Sequence, residues 1–185
     1  MELLTRLFLV CPPRERARGE PAIEVGEMLA LGPMLDRLGR RKPRAIVGTS
    51  DRASVRVLTE LADRTGTPFR VEPALEPLSA DSADAFGARV LRVLDELSRE
   101  FEHGELVVVL QAQGIRAAAA RALGMQQSNV FSPEPGQAIA LDWPHPEARE
   151  FKHALIGIAF DWDLGPPSTK VHKFPGGASV VPRSS

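Results

Sequence analysis

One cysteine, Cys11, is all the thiol chemistry this chain of 185 residues carries. A lone thiol excludes an internal disulfide and any cysteine-based metal cluster, and it suits a reducing compartment. Neither sign of charge dominates, with 23 Lys and Arg against 24 Asp and Glu. No global field therefore draws the chain to nucleic acid or to an anionic membrane; either would need a local patch. Long apolar runs are also missing. The N-terminal segment has only Leu7–Val10 as a continuous apolar core, too short for a secretory signal or a membrane span. From these absences we expect a cytoplasmic protein with no membrane and no nucleic-acid partner.

What is there is a globular composition. Hydrophobic residues make up 43%, too many for a disordered chain. The length fits one domain, at roughly 100 to 200 residues each, with a core that needs no staples. Leu7–Val10 is apolar on both faces and reads as a buried strand ending at Pro12-Pro13. Val25, Met28, Leu31, Leu35 and Leu38 recur at helical spacing, although Gly32-Pro33 should kink or split that helix. Ala45–Val47 is a second strand. Thr49-Ser50-Asp51 supplies cap chemistry for a helix to about Asp63, which Gly66 ends. Phe69–Val71 is a short third strand and Pro73–Ala80 a loop. Asp81 to about Glu102 is the longest helix, with Phe86, Val90, Leu94, Leu97 and Phe101 as its buried stripe. Leu106–Leu110 is the clearest central strand, and Gln113–Leu123 an Ala-rich helix closed by Gly124. Ala138–Trp143 and Ala154–Trp162 are strand-like and could pair as an antiparallel edge hairpin. Residues 165–185 are rich in Pro, Gly and Ser and read as an extended tail to a domain of residues 1–164.

Strands alternating with helices predict a single three-layer α/β/α domain with a mostly parallel central sheet. Ligands of such sheets bind beyond the carboxyl ends of the strands. The loops after Val10, Val47 and Leu110 are thus the places to look for chemistry.

In order and framing these segments resemble the histidine phosphatase (phosphoglycerate mutase-like) superfamily over most of residues 3–145. Leu7–Val10 stands where the family's Arg-His-Gly-Glu motif would follow. Gly26 and Ala30 match a Gly-x-x-x-Ala in its first helix, and Ala45–Asp51 its second strand and Ser-Ser-Asp turn. Asp81-Ser82 with Phe86 and Arg89 matches its Glu-Ser … Phe … Arg helix. Val107–Val109 followed by Gly114–Ala117 matches the strand and helix around its second histidine. The resemblance implies a phosphorylated histidine, two arginines clamping the phosphoryl group, a second histidine and an acid. Most of these are replaced. Cys11-Pro12 stands for Arg-His, Pro13 for the next Gly, Ser54 for the clamp arginine of the second turn, and Gln111 for the second histidine. Glu76 is the residue that could survive as the acid.

Proline cannot be phosphorylated, two prolines remove two N–H donors from the loop, and Gln111 carries no charge. The implied protein is a catalytically inactive pseudophosphatase that binds a small anionic ligand or a protein, with no metal and no cofactor, and with a homodimer open to it. The alternative is a phosphatase or mutase with an unconventional site built on Glu76 and arginines. Arg14, Arg52 and Arg116 are the candidates for residual anion binding. Cys11 as a nucleophile would need an arginine six residues on, where Ala17 stands, so it reads as an inert buried thiol. His103, His145, His153 and His172 fall outside both required positions and read as surface or loop residues. Trp143 and Trp162 read as packing, and Ser50-Asp51 as a helix cap.

Overall fold

A computed structural model of the chain describes residues 4–14 and 16–145 and the backbone of 154–158. Trp162, His153, His172 and the 165–185 segment lie outside these described residues. In chain order the elements are β1 (Leu4–Val10), α1 (Val25–Arg41), β2 (Ala45–Gly48), α2 (Arg52–Thr65), β3 (Phe69–Val71), α3 (Ala83–Glu100), β4 (Glu105–Val109), α4 (Ala112–Leu123), β5 (Ala138–Pro144) and β6 (Ala154–Ile158). The strands form one sheet in the order β3-β2-β4-β1-β5-β6. The first four run parallel, and β5 and β6 close the far edge antiparallel. This is the three-layer, mostly parallel architecture, with the expected edge hairpin.

The strict two-residue alternation of the strands assembles the core. Leu7, Leu9, Val47, Leu106, Val108, Leu110, Ile139, Leu141 and Trp143 face α3 and α4. Phe8, Val10, Ile46, Val107 and Val109 face α1 and α2. Because both faces are covered, these strands carry apolar residues without interruption.

Two readings of the helices change. Helix α1 runs unsplit through Pro33. Proline removes the hydrogen bond to the Leu29 carbonyl, but Leu29 and Pro33 are both exposed, so water can serve that oxygen. Val25, one of the residues recurring at helical spacing, is 78% exposed; Met34 joins Leu31, Leu35 and Leu38 in the buried face instead. Strand β1 also begins earlier than its apolar run. Arg6 and Asp142 sit opposite each other on β1 and β5 and form a buried ion pair at 2.9 Å. The Thr5 hydroxyl donates to the Phe101 carbonyl at 3.1 Å. Polar side chains in a strand thus find partners that the sequence pattern does not announce.

Candidate functional site

The register brings the predicted loops to one edge. Val10 pairs with Val109, and Val109 with Gly48. The Leu110 N–H donates to the Val10 carbonyl at 3.0 Å and the Thr49 N–H to the Val109 carbonyl at 3.2 Å. Pro12, the Thr49–Asp51 turn and Gln111 therefore leave neighbouring strands on the same side of the sheet.

Beyond β1 the chain stays zipped to the loop before β5. The Cys11 N–H donates to Gln137 O and the Gly136 N–H to Cys11 O, both at 2.8 Å. Gly136 takes φ +82, a conformation glycine adopts without strain. Cys11, Pro12 and Pro13 are all buried. Burial pushes the Cys11 thiol up to about 11, with the Ala112 N–H acting weakly in the opposite direction. The thiol is thus neutral at physiological pH.

At the second turn Asp51 caps α2, accepting from the Ser54 N–H at 2.9 Å. The buried Ser54 hydroxyl donates to the same carboxylate at 2.6 Å, and the Thr49 hydroxyl lies 2.7 Å from it. Ser54 is thereby locked into a cap network. Glu76 is brought to this turn, where one carboxylate oxygen accepts from the Ser50 N–H at 3.0 Å. Arg89 anchors the loop carrying Glu76: it donates to Ala74 O at 2.9 Å, to Glu76 O, and to both oxygens of Asp81. The Arg89 hydrogen bonds, helped by the Leu78 N–H, hold the Asp81 carboxyl below its ordinary value.

Gln111 is the N-cap of α4 by position, half-buried, and makes no side-chain cap bond. The arginines do not converge. Arg14 is exposed. Arg52 donates to Glu20 O at 2.6 Å and more weakly to Ala17 O, pinning the loop before α1. Arg116 donates to Gln127 O at 2.7 Å and leaves its buried Nε without an acceptor. Arg116 lines a cleft of about 960 Å³ between the starts of α3 and α4 and the 125–132 loop, beside Asp84 and Gln113. Cys11, Pro12, Ser54 and Gln111 do not line that cleft.

The described histidines are at the wrong end. His103 precedes β4, and His145 follows Pro144, which pairs with Leu4 at the start of β1. His145, read as a surface or loop residue, lies in the loop after β5, but it is only 8% exposed and faces Glu102 at 3.2 Å. Among the described residues no cluster of His, Cys, Asp and Glu could hold a metal ion. No helix among them is long and apolar enough to cross a membrane.

The model of the histidine phosphatase superfamily (branch 1) matches residues 45–152, more than half of the chain. The chain belongs to this superfamily. Solved structures share the fold. A mycobacterial hydrolase aligns at 18% identity and TM-score 0.67, covering 92% of this chain and 94% of its own. A mycobacterial glucosyl-3-phosphoglycerate phosphatase aligns at 18% identity and TM-score 0.60, covering 74% and 89%. A phosphoglycerate mutase from Bacillus anthracis aligns at 11% identity and TM-score 0.64, covering 78% and 90%. No curated protein matches. The histidine phosphatase match begins at β2, so it leaves out β1 and the Cys11-Pro12-Pro13 loop. Asp51 caps α2 as the sequence led us to expect, whereas sequence reasoning missed the Thr49 and Ser54 hydroxyls that join it and the anchoring by Arg89. The Asp51-to-Ser54 spacing, three apart at a helix start, was the available signal for the first; the second joins residues distant in sequence.

Proposed function

We propose that the protein is a catalytically silent histidine phosphatase homologue, working in the cytoplasm by binding an anionic ligand or a protein partner. The observation that carries this is the composition of the shared strand edge. Pro12 is buried where the resemblance requires a nucleophilic imidazole, Pro13 is buried beside it in place of a glycine, and Gln111 stands where a second imidazole is required. A phosphoryl group transferred to nitrogen needs a lone pair at that position, and a proline within the chain has none to give. Neither described histidine can substitute, because both lie at the opposite end of β1 and β4. The Cys11 thiol is held protonated by burial and cannot take the role. Ser54 and Glu76 are both engaged by the Thr49–Asp51 turn, through the Asp51 carboxylate and the Ser50 N–H.

The retained features fit binding. Three strand ends still form one edge, and Ala112, Gln113 and Arg116 open onto the neighbouring cleft. Arg14, Arg52 and Arg116 are dispersed, so any phosphate held there is held weakly and is released by salt. The test is incubation with para-nitrophenyl phosphate and with radiolabelled 3-phosphoglycerate, followed by acid-labile label counting on the protein. Background release and an unlabelled protein are expected. Label on the protein would establish an enzyme with an unconventional site and overturn the reading. A parallel titration with inorganic phosphate decides between ligand and partner. Saturable, salt-sensitive binding supports a ligand; none at high phosphate supports a protein.

A further inference from the structure

The opposite end of the sheet carries a charge pattern that the strand-edge site does not use. Residues 37–44 read Arg-Leu-Gly-Arg-Arg-Lys-Pro-Arg, closing α1 and leading into β2. Arg41 of this run pairs with Glu105. Arg37, Arg40, Lys42 and Arg44 have no ion pair among the described residues, and Arg44 donates instead to the Glu102 carbonyl at 3.2 Å. Arg40, Lys42 and Arg44 are exposed. The nearby acids are otherwise engaged: Asp36 pairs with Arg64, and Glu102 faces His145. In a molecule with a formal net charge of −1, residues 37–44 thus gather four cations without ion-pair partners among the described residues.

Complementing the helix dipole accounts for Arg40 and Arg41, which stand in the last turn of α1. It does not account for Arg44, which lies beyond the helix. Lys42 takes the left-handed C-cap conformation, φ 51, with its N–H bonded to Gly39 O. A non-glycine residue is uncommon there.

The surroundings say which partner suits the patch. A protein interface centres on Trp, Tyr or Arg anchors set in well-packed, desolvated pockets. The exposed large hydrophobics Val25, Leu29, Val71, Leu78 and Met125 all lie outside residues 36–44. Among the described residues, none of these would enter a bilayer beside residues 36–44 either. A nucleic acid needs no such anchor, since its phosphates reward cations by releasing condensed counterions. We propose that Arg37, Arg40, Lys42 and Arg44 form a phosphate-contacting surface that binds a nucleic-acid duplex without reading its sequence. This goes beyond the silent crevice and revises the expectation drawn from net charge. With four cations the logarithm of the binding constant should fall against that of salt with a slope of about −3.6.

Fluorescence anisotropy of a labelled 20-base-pair DNA duplex between 25 and 200 mM potassium chloride tests this. Binding should weaken about a hundredfold from 50 to 200 mM, and equally for a scrambled duplex. Arg40→Glu with Lys42→Glu should lower affinity at least tenfold and roughly halve the slope. Arg18→Glu, exposed in the loop at the crevice end, should change neither. Circular dichroism and thermal melting of both variants check that they fold. No binding at 25 mM salt, a slope near zero, or loss in the crevice variant instead would each overturn the proposal. So would binding to phosphatidylserine vesicles without binding to the duplex. None of these outcomes bears on the phosphatase assay.

Discussion

Cys11 shows how placement sets the chemistry of a single residue. Its thiol stands just past the end of β1 and is buried. Taking a thiolate out of water costs more than the Ala112 N–H returns, so its pKa rises from 9.0 to about 11. An acid whose folded pKa is raised favours the folded state while it stays protonated. That contribution is complete below the ordinary value and is lost as pH climbs from about 9 to about 11. Native protein at pH 8 should therefore react with iodoacetamide far more slowly than urea-unfolded protein. The native rate should rise steeply only toward pH 11. Equal native and unfolded rates at pH 8 would show an accessible thiolate and reopen Cys11 as a nucleophile.

Among the elements, β2 and the turn after it decide the geometry of the strand edge. Gly48 ends β2 beside β4, and a methyl group there would lie 2.7 Å from the Val109 carbonyl and 3.1 Å from the Leu58 side chain. The Leu58 contact could relax; the backbone oxygen could not without shifting β4. Gly48→Ala should therefore cost about 1–3 kcal/mol, the usual range for overpacking, read as a lower urea midpoint. An unchanged midpoint would mean that the β2 and β4 ends are free to move apart. The same close approach positions the Thr49–Asp51–Ser54 network.

For the whole molecule, the sheet separates two apolar layers. Leu58 packs with α1 and α2 on one face, and Leu94 packs with α3 and α4 on the other. Each layer stands about 10 Å from the sheet, so the two side chains share no partner. Leu58→Ala and Leu94→Ala should each cost about 2–5 kcal/mol. Their double variant should equal the sum within about 0.5 kcal/mol in urea titrations with a single transition. A larger coupling would show that the sheet transmits strain between its faces.

Periodicity and punctuation were enough for the architecture. Runs such as Leu7–Val10 and Leu106–Leu110 are apolar on both faces because helices cover both, and Gly66 and Gly124 end their helices in left-handed caps as read. The order of loops around Cys11, Ser50 and Gln111 was legible too, since each follows a strand of the same direction. Several things were settled by distant contacts. Arg6 belongs to a strand because Asp142, 136 residues away, neutralises it. Val25 is exposed although it fits the stripe, and His145 is buried although it sits in a link. Arg52 and Arg116 stood at helix starts in the sequence, where they seemed available to an anion; the fold turns them onto the carbonyls of Glu20 and Gln127. Residue type and spacing determine which groups could act. Where each side chain points, and what it spends its hydrogen bonds on, depends on contacts between segments far apart in sequence, and no local pattern records those.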